Sequence, residues 1–180
     1  MLEITIPKGE AYNEATGEFI YTKEQTLKLE HSLVSISKWE SKWHKPFLTK
    51  QPKTREEEID YFKTMTLTQN VDPVVYEFIT KDIAENINNY IDNPMTATTF
   101  SKRETGGGNG EQVTSELIYY WMVSLNIPFE CQKWHLNRLL TLIRVCNVKN
   151  QPPKKMSKSE LMSRNAAINA ARRRKHNTKG

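Results

Sequence analysis

Between Val113 and Ile143 the apolar residues recur at intervals of three and four, which limits this stretch to helices that must bury a wide face. Val113, Leu117, Ile118, Trp121, Met122 and Leu125 form one surface, and Leu136, Leu139, Leu140 and Ile143 form a second. Asn126-Ile-Pro128 punctuates the two. Residues 111–147 therefore read as a helical hairpin, its second helix running from about 129 to 147, at the centre of a core. Arg138 and Arg144 lie off the stripe of that second helix.

Upstream, the pattern gives more helices. Thr22-Lys-Glu-Gln25 has the form of a capping box, followed by Leu29, Leu33, Ile36, Trp39 and Trp43 on one face, ending before Pro46. Thr54-Arg-Glu-Glu57 is a second box, with acids crowding the first turn as the helix dipole favours, and then Ile59, Phe62 and Met65. Asp72-Pro73 supplies an N-cap and a proline at the first helical position. Ile83, Ile87 and Ile91 repeat every four residues up to Asn93-Pro94. Thr96–Phe100 is β-prone and reads as a short strand. At the N-terminus, Leu2, Ile4 and Ile6 alternate with polar residues, and Phe19-Ile20-Tyr21 follows a turn-like Asn13–Gly17, so residues 1–21 read as a β-hairpin. The expected fold is mainly α: a helical bundle with a small N-terminal β-hairpin and a basic C-terminal helical arm.

The charge is divided. Ten Lys and Arg but one acid, Glu160, fall in residues 149–180, which leaves 16 bases and 20 acids in residues 1–148. The expected organisation is a mildly acidic core domain, 1–148, and a +9 arm, 149–180, joined at Asn150-Gln-Pro-Pro153. Ser157-Lys-Ser-Glu160 opens a last helix rich in Ala and Arg, anchored only by Leu161, Met162 and Ile168. Arg172, Arg173, Arg174 and Lys175 surround its axis rather than lining one face. Such an arm suits a solvated end, phosphates, or an acidic protein partner. It carries no aromatic residue for base stacking.

Chemistry is harder to find. Gly106–Gly110 lacks the Lys-Ser/Thr of a phosphate loop and is followed by Glu111. Cys131 and His135 stand four apart on the expected helix, the spacing of half a zinc site, but His31, His44 and His176 form no second pair. Cys131 and Cys146, placed on one helix about 22 Å apart, cannot pair, which fits a reducing compartment. There is no nucleophile elbow and no nucleophile with a recognisable base, so no catalytic, cofactor or metal residue is assigned. The first residues lack the apolar run of a secretion signal, and Leu117–Phe129, thirteen residues, is too short to span a bilayer, so the expectation is a soluble intracellular protein with no membrane partner. Trp39 and Trp43 read either as core or as an exposed anchor for another protein; Tyr119, Tyr120 and Trp121 carry the same two readings, with burial favoured.

Leu29–Trp43, Met65–Asn70, Met95–Thr98, Ile127–Asn147 and the Arg-Asn-Ala-Ala-Ile-Asn-Ala-Ala-Arg-Arg of 164–173 resemble a family encoded among the tail genes of long-tailed bacteriophages, the tail assembly chaperones or minor tail proteins. The resemblance covers nearly the whole chain. It implies a small helical protein without catalysis or cofactor, working beside the tape-measure and tail-tube proteins in the host cytoplasm and shielding apolar tape-measure helices until the tube replaces it. Under this expectation Trp39 and Trp43 contact the partner, and Arg172, Arg173, Arg174 and Lys175 add electrostatic attraction. The alternatives are a component retained in the virion tail or neck, nucleic-acid binding through the arm, and, last, an enzyme. A homo-oligomer is compatible with each.

Overall fold

The computed structural model describes residues 1–13, 17–49, 51–100, 112–151 and 157–177. It is mainly helical, with a small antiparallel β-structure near the N-terminus. The chain divides into two compact units, Met1–Asn147 and Val148–Gly180.

The N-terminal β-structure is larger than the expected hairpin over 1–21. Strands β1 (Leu2–Ile6), β2 (Gly9–Asn13), β3 (Glu18–Thr22) and β4 (Gln25–Leu29) pair as β1 with β4 and β2 with β3, both antiparallel. Ile6 faces Gln25 and Gly9 faces Thr22, so one register runs through both pairs. The four strands form one long ribbon, interrupted where Pro7 offers no N–H to the ladder. At its base Ile4, Ile6, Leu27 and Leu29 are buried. At its tip the same face is turned to solvent, and the other face, with Thr22 buried, lies against the 3-10 turn Pro73–Phe78.

Thr22–Gln25 is therefore not a capping box. Gln25, Leu27 and Leu29 alternate, and β1 takes them as its partner strand. The first helix, α1, begins later, at Leu33–Trp43. Ser32 caps it, accepting from Ser35 N–H at 3.3 Å while Ser35 Oγ accepts the Ser32 N–H at 3.0 Å. Helix α2 (Arg55–Met65) opens on the expected Thr54–Glu57 box, with Thr54 N–H donated to Glu57 Oε2 at 2.9 Å. Asp72 caps Pro73–Phe78 as expected, although that element is 3-10. Helix α3 (Lys81–Asp92) buries Ile87 and Tyr90, and its last carbonyls, on Ile91 and Asn93, accept from Asn137 Nδ2 at 2.9 Å each. Thr96–Phe100 forms no strand: Thr96 Oγ1 accepts the Thr98 N–H, a local bond that competes with a ladder.

Helix α4 spans Ser115–Ser124, and Asn126 reverses the chain with φ 53°. The helix expected over 129–147 is split into a 3-10 turn, Phe129–Lys133, and α5, Leu136–Asn150. Trp134 between them is extended, and His135 bridges antiparallel to Ser32. The Leu136 N–H is donated to His31 O at 2.7 Å, so pairing with the strand end interrupts the helix. Cys131 and Cys146 consequently lie on different elements, both free. Helix α1 packs on α2 and α4, and α3 on β1. Ile6, Leu27, Leu33, Ile36, Trp39, Met65, Ile87, Ile118, Met122, Leu136 and Leu139 fill the centre. In the second unit α6 (Lys158–His176) opens on the Ser157–Glu160 box and buries none of its residues. Gly106–Gly110 and Pro152-Pro153 lie outside the described residues.

Candidate protein-docking surfaces

Trp39 and Trp43 share the inner face of α1, as their spacing requires, yet they differ in role. Trp39 is 1 % exposed, so it is a core residue and not a partner anchor, which corrects the docking role expected for it. Its Nε1 donates to Glu57 O at 2.9 Å, and its ring meets Phe47 edge to face at 5.2 Å. One of the first-turn acids of α2, Glu57, supplies this contact through its carbonyl; its side chain is buried, joins the capping box and pairs with Lys45. That ammonium first, and the Thr54 N–H second, hold its carboxyl below the usual range.

Trp43 is half-buried. It stacks on Trp39 at 6.2 Å, and its Nε1 donates to Asp60 Oδ2 at 2.9 Å. Asp60 also takes the Lys42 ammonium, which sits over the Trp43 ring. Trp43 and Ile59 form the apolar part of an open cleft flanked by Arg55, Lys63, Glu56 and Glu77. The rigidly held ring leaves Trp43 as the accessible member of the pair.

The aromatics that read as core on α4 are not all covered. Ile118 and Met122 are buried, but Tyr120, Val123 and Phe129 are each more than half exposed. Tyr120 and Val123 stand three apart on one helix face, and Tyr119, Phe129's ring neighbour at 6.4 Å, is fixed by donating to Gln132 Oε1 at 2.9 Å. Sequence periodicity missed this surface because α4 is apolar on nearly every side. A second exposed set, Tyr12, Phe19 and Tyr21, lies on the ribbon tip, with centroids 5.1 Å apart for Tyr12–Phe19 and 6.4 Å for Phe19–Tyr21. Its signal was the period-2 alternation of β3.

Arg172, Arg173, Arg174 and Lys175 are exposed near the end of α6, and Arg173, Arg174 and Lys175 fall in its last turn, with cations at the negative end of the helix dipole.

The histidines are engaged internally. His31 Nδ1 is hydrogen-bonded to Tyr61 Oη. His135 Nε2–H donates to Tyr90 O at 3.0 Å, and its Nδ1 accepts the Asn137 N–H at 3.3 Å. Burial pushes the His31 pKa down to about 3 and lowers that of His135. Cys131 lies in the 3-10 turn and not on one helix with His135, so the four-residue spacing does not place the two on a shared helix face. Among the described residues no three His, Cys, Asp or Glu are placed to hold a metal ion, and no helix is long and apolar enough to cross a membrane. No family model, no curated protein and no solved structure matches this chain.

Proposed function

We propose that this protein is a non-catalytic protein-binding module of bacteriophage tail assembly, holding an apolar helix of the tape-measure protein while tail-tube subunits polymerise. The observation that carries the proposal is the exposed apolar face of α4 and the turn after it, Tyr120, Val123 and Phe129. An amphipathic helix lays its anchors into such a surface. Trp43 in the α1–α2 cleft supplies a second contact, and aromatic rings held in place cost little entropy on binding. In this reading α1, α2, α4 and α5 act as a helical bundle, and residues 149–180 as a basic arm that strengthens attraction to an acidic partner surface.

The reading also rests on the tail-gene resemblance of Leu29–Trp43 and Ile127–Asn147. It needs neither a cofactor nor a metal, and the buried histidines are engaged by Tyr61, Tyr90 and Asn137. Co-expression with a phage tape-measure protein, followed by pull-down, tests it. Co-purification that is lost in Tyr120→Glu/Val123→Glu supports the proposal. A tape measure that stays equally soluble alone and never co-purifies overturns it. Mass spectrometry of finished particles separates an assembly factor, absent or trace, from a protein retained in the virion.

A further inference from the structure

Helix α6 is exposed along its whole length. It is closed at both ends, by the Ser157–Glu160 box and by Asn177, whose N–H is donated to Arg173 O. Residues 161–176 hold five Lys and Arg and no acid. A helix turns about 100° per residue, and this turn sorts the polar side chains of α6 by direction. Asn165, Asn169, Arg172 and His176 follow at intervals of four, three and four, so they form one stripe. Arg173 and Lys175 stand about 80° to either side of that stripe, and Arg174 lies on the side opposite to it. Asn is a poor helix former, yet two stand in the middle of this helix. Among the described residues neither amide has a hydrogen-bond partner.

We propose that α6 is a recognition helix for the major groove of double-stranded DNA. That groove is about 12 Å wide and admits a helix about 10–12 Å across. It sets base edges in front of the helix and a row of phosphates on each side, which is the order of the side chains on α6. The amides of Asn165 and Asn169 face the base edges, where each fits the N6 donor and N7 acceptor of adenine. Arg172 on the same stripe fits O6 and N7 of guanine. Arg173 reaches one phosphate row and Lys175 the other. Ala166 and Ala171, on the flanks, leave room for the groove walls. Arg174 points out of the groove. Other anions fit this order less well. An acidic protein surface meets one face of a helix and uses neither the opposed flanks nor the Asn amides. Duplex RNA has a deep, narrow major groove that a helix does not enter. Single strands are held by stacking, and α6 has no aromatic residue. The inference goes beyond the tail-assembly reading, which α4 and Trp43 carry and which does not depend on the ligand of the arm.

Duplex DNA selected from a random pool by retention on the full chain, labelled and titrated by fluorescence anisotropy across a range of salt, tests it. Arg173→Gln and Lys175→Gln each lower the slope of log affinity against log salt by about 0.9, the share of one phosphate. Arg174→Gln lowers it less. Asn165→Ala and Asn169→Ala leave the slope unchanged, weaken binding to the selected duplex about tenfold each and relax the choice of adenine. Methylating guanine N7, which lies in the major groove, weakens binding by the wild type. Gln and Ala are good helix formers, and an unchanged far-ultraviolet circular dichroism spectrum checks that α6 persists in each variant. A chain that retains no duplex DNA overturns the proposal. So does equal affinity for duplex RNA or for polyglutamate, an equal loss at Arg173, Arg174 and Lys175, or binding indifferent to both Asn variants or to N7 methylation. Pull-down of the tape-measure protein by the Asn169→Ala variant keeps this result distinct from the proposed function, whose test reads Tyr120 and Val123.

Discussion

His31 and His135 meet edge to face inside the core, with ring centroids 5.0 Å apart. They close a line of rings that runs from Trp43 through Trp39, Phe47 and Tyr61 to His31, and then through His135 to Tyr90. The line ends in a charged contact: Tyr90 Oη donates to Glu30 Oε1 at 2.7 Å, and Glu30 Oε2 pairs with the N-terminal ammonium at 2.9 Å. The two imidazoles thus join the end of β4 to the start of α5, where the Ser32–His135 bridge and the Leu136–His31 hydrogen bond also lie.

This pair makes the fold acid-sensitive in a defined window. His31 protonates at 6.5 when solvated and at about 3 in the fold, chiefly because of burial, then because of His135 and Lys53. The unfolded chain therefore binds the extra proton first. Stability is fully present above pH 6.5 and falls as the pH drops toward 3, by about 1.4 kcal/mol per pH unit for one such group. His135 shifts in the same direction and adds to the slope; protonating its Nδ1 also breaks the bond from the Asn137 N–H. Urea midpoints measured between pH 7 and 5 should decline, above the range where the carboxylates titrate, and His31→Gln should flatten that decline. An equal slope in wild type and variant would show that the histidine pair is not its source.

The two tryptophans of α1 should separate cleanly. Trp39→Ala removes a fully buried ring and its bond to Glu57 O, and is expected to cost about 3–5 kcal/mol in urea unfolding. Trp43→Ala removes a half-buried ring and is expected to cost about 1–2 kcal/mol. In the tape-measure pull-down the order reverses. Trp43→Ala weakens capture, whereas Trp39→Phe, which keeps the core filled, leaves it unchanged.

How much of this could be read beforehand depends on whether a signal was local. The Thr54–Glu57 and Ser157–Glu160 boxes, the Asp72-Pro73 start and the Asn93-Pro94 stop depend on side chains within four residues, and each stands where the sequence places it. Leu29 shows the limit. It continues the stripe of Leu33 and Ile36 equally well as a strand residue, and only the presence of β1 decides for the strand. His135 shows it again, since its bridge to Ser32 breaks a helix that residues 129–147 favour locally. Exposure of Tyr120 and Val123 was illegible for a related reason: a helix apolar all round does not say which side its neighbours cover. Trp39 and Trp43 share one periodicity, and four residues of helix separate a sealed ring from an accessible one.

A second acid-bearing link joins α1 to two other segments. Glu40 is buried, and its carboxylate accepts the Phe47 N–H through Oε1 and the Ser115 N–H through Oε2, each at 2.7 Å. It thereby serves the first turn of α4, whose N–H groups have no partner within the helix. Glu40→Gln keeps the shape but turns an amide NH2 toward one of those two donors. The expected loss is about 1–3 kcal/mol. Amide exchange at Ser115 and Phe47 should rise in the variant, which a general loss of stability without local opening would not produce. Unchanged protection at both amides would remove Glu40 as their anchor.

Gly9 and Phe78 fix the ribbon tip to the 3-10 turn Pro73–Phe78. Any side chain at residue 9 meets the Phe78 ring at 2.6 and 2.8 Å, well inside contact distance, so either the ring or the strand must shift. Gly9→Ala is expected to cost about 1–2 kcal/mol by overpacking, although alanine is otherwise the better strand residue there. Phe78→Ala alone loses packing but opens the space that the new methyl needs. The double variant should therefore be less destabilised than the sum of the two, with a coupling of about 1 kcal/mol. Urea unfolding of the four proteins measures it. Strict additivity would mean that the tip does not rest on Phe78 in solution, and the open aromatic face would then no longer be held in one orientation.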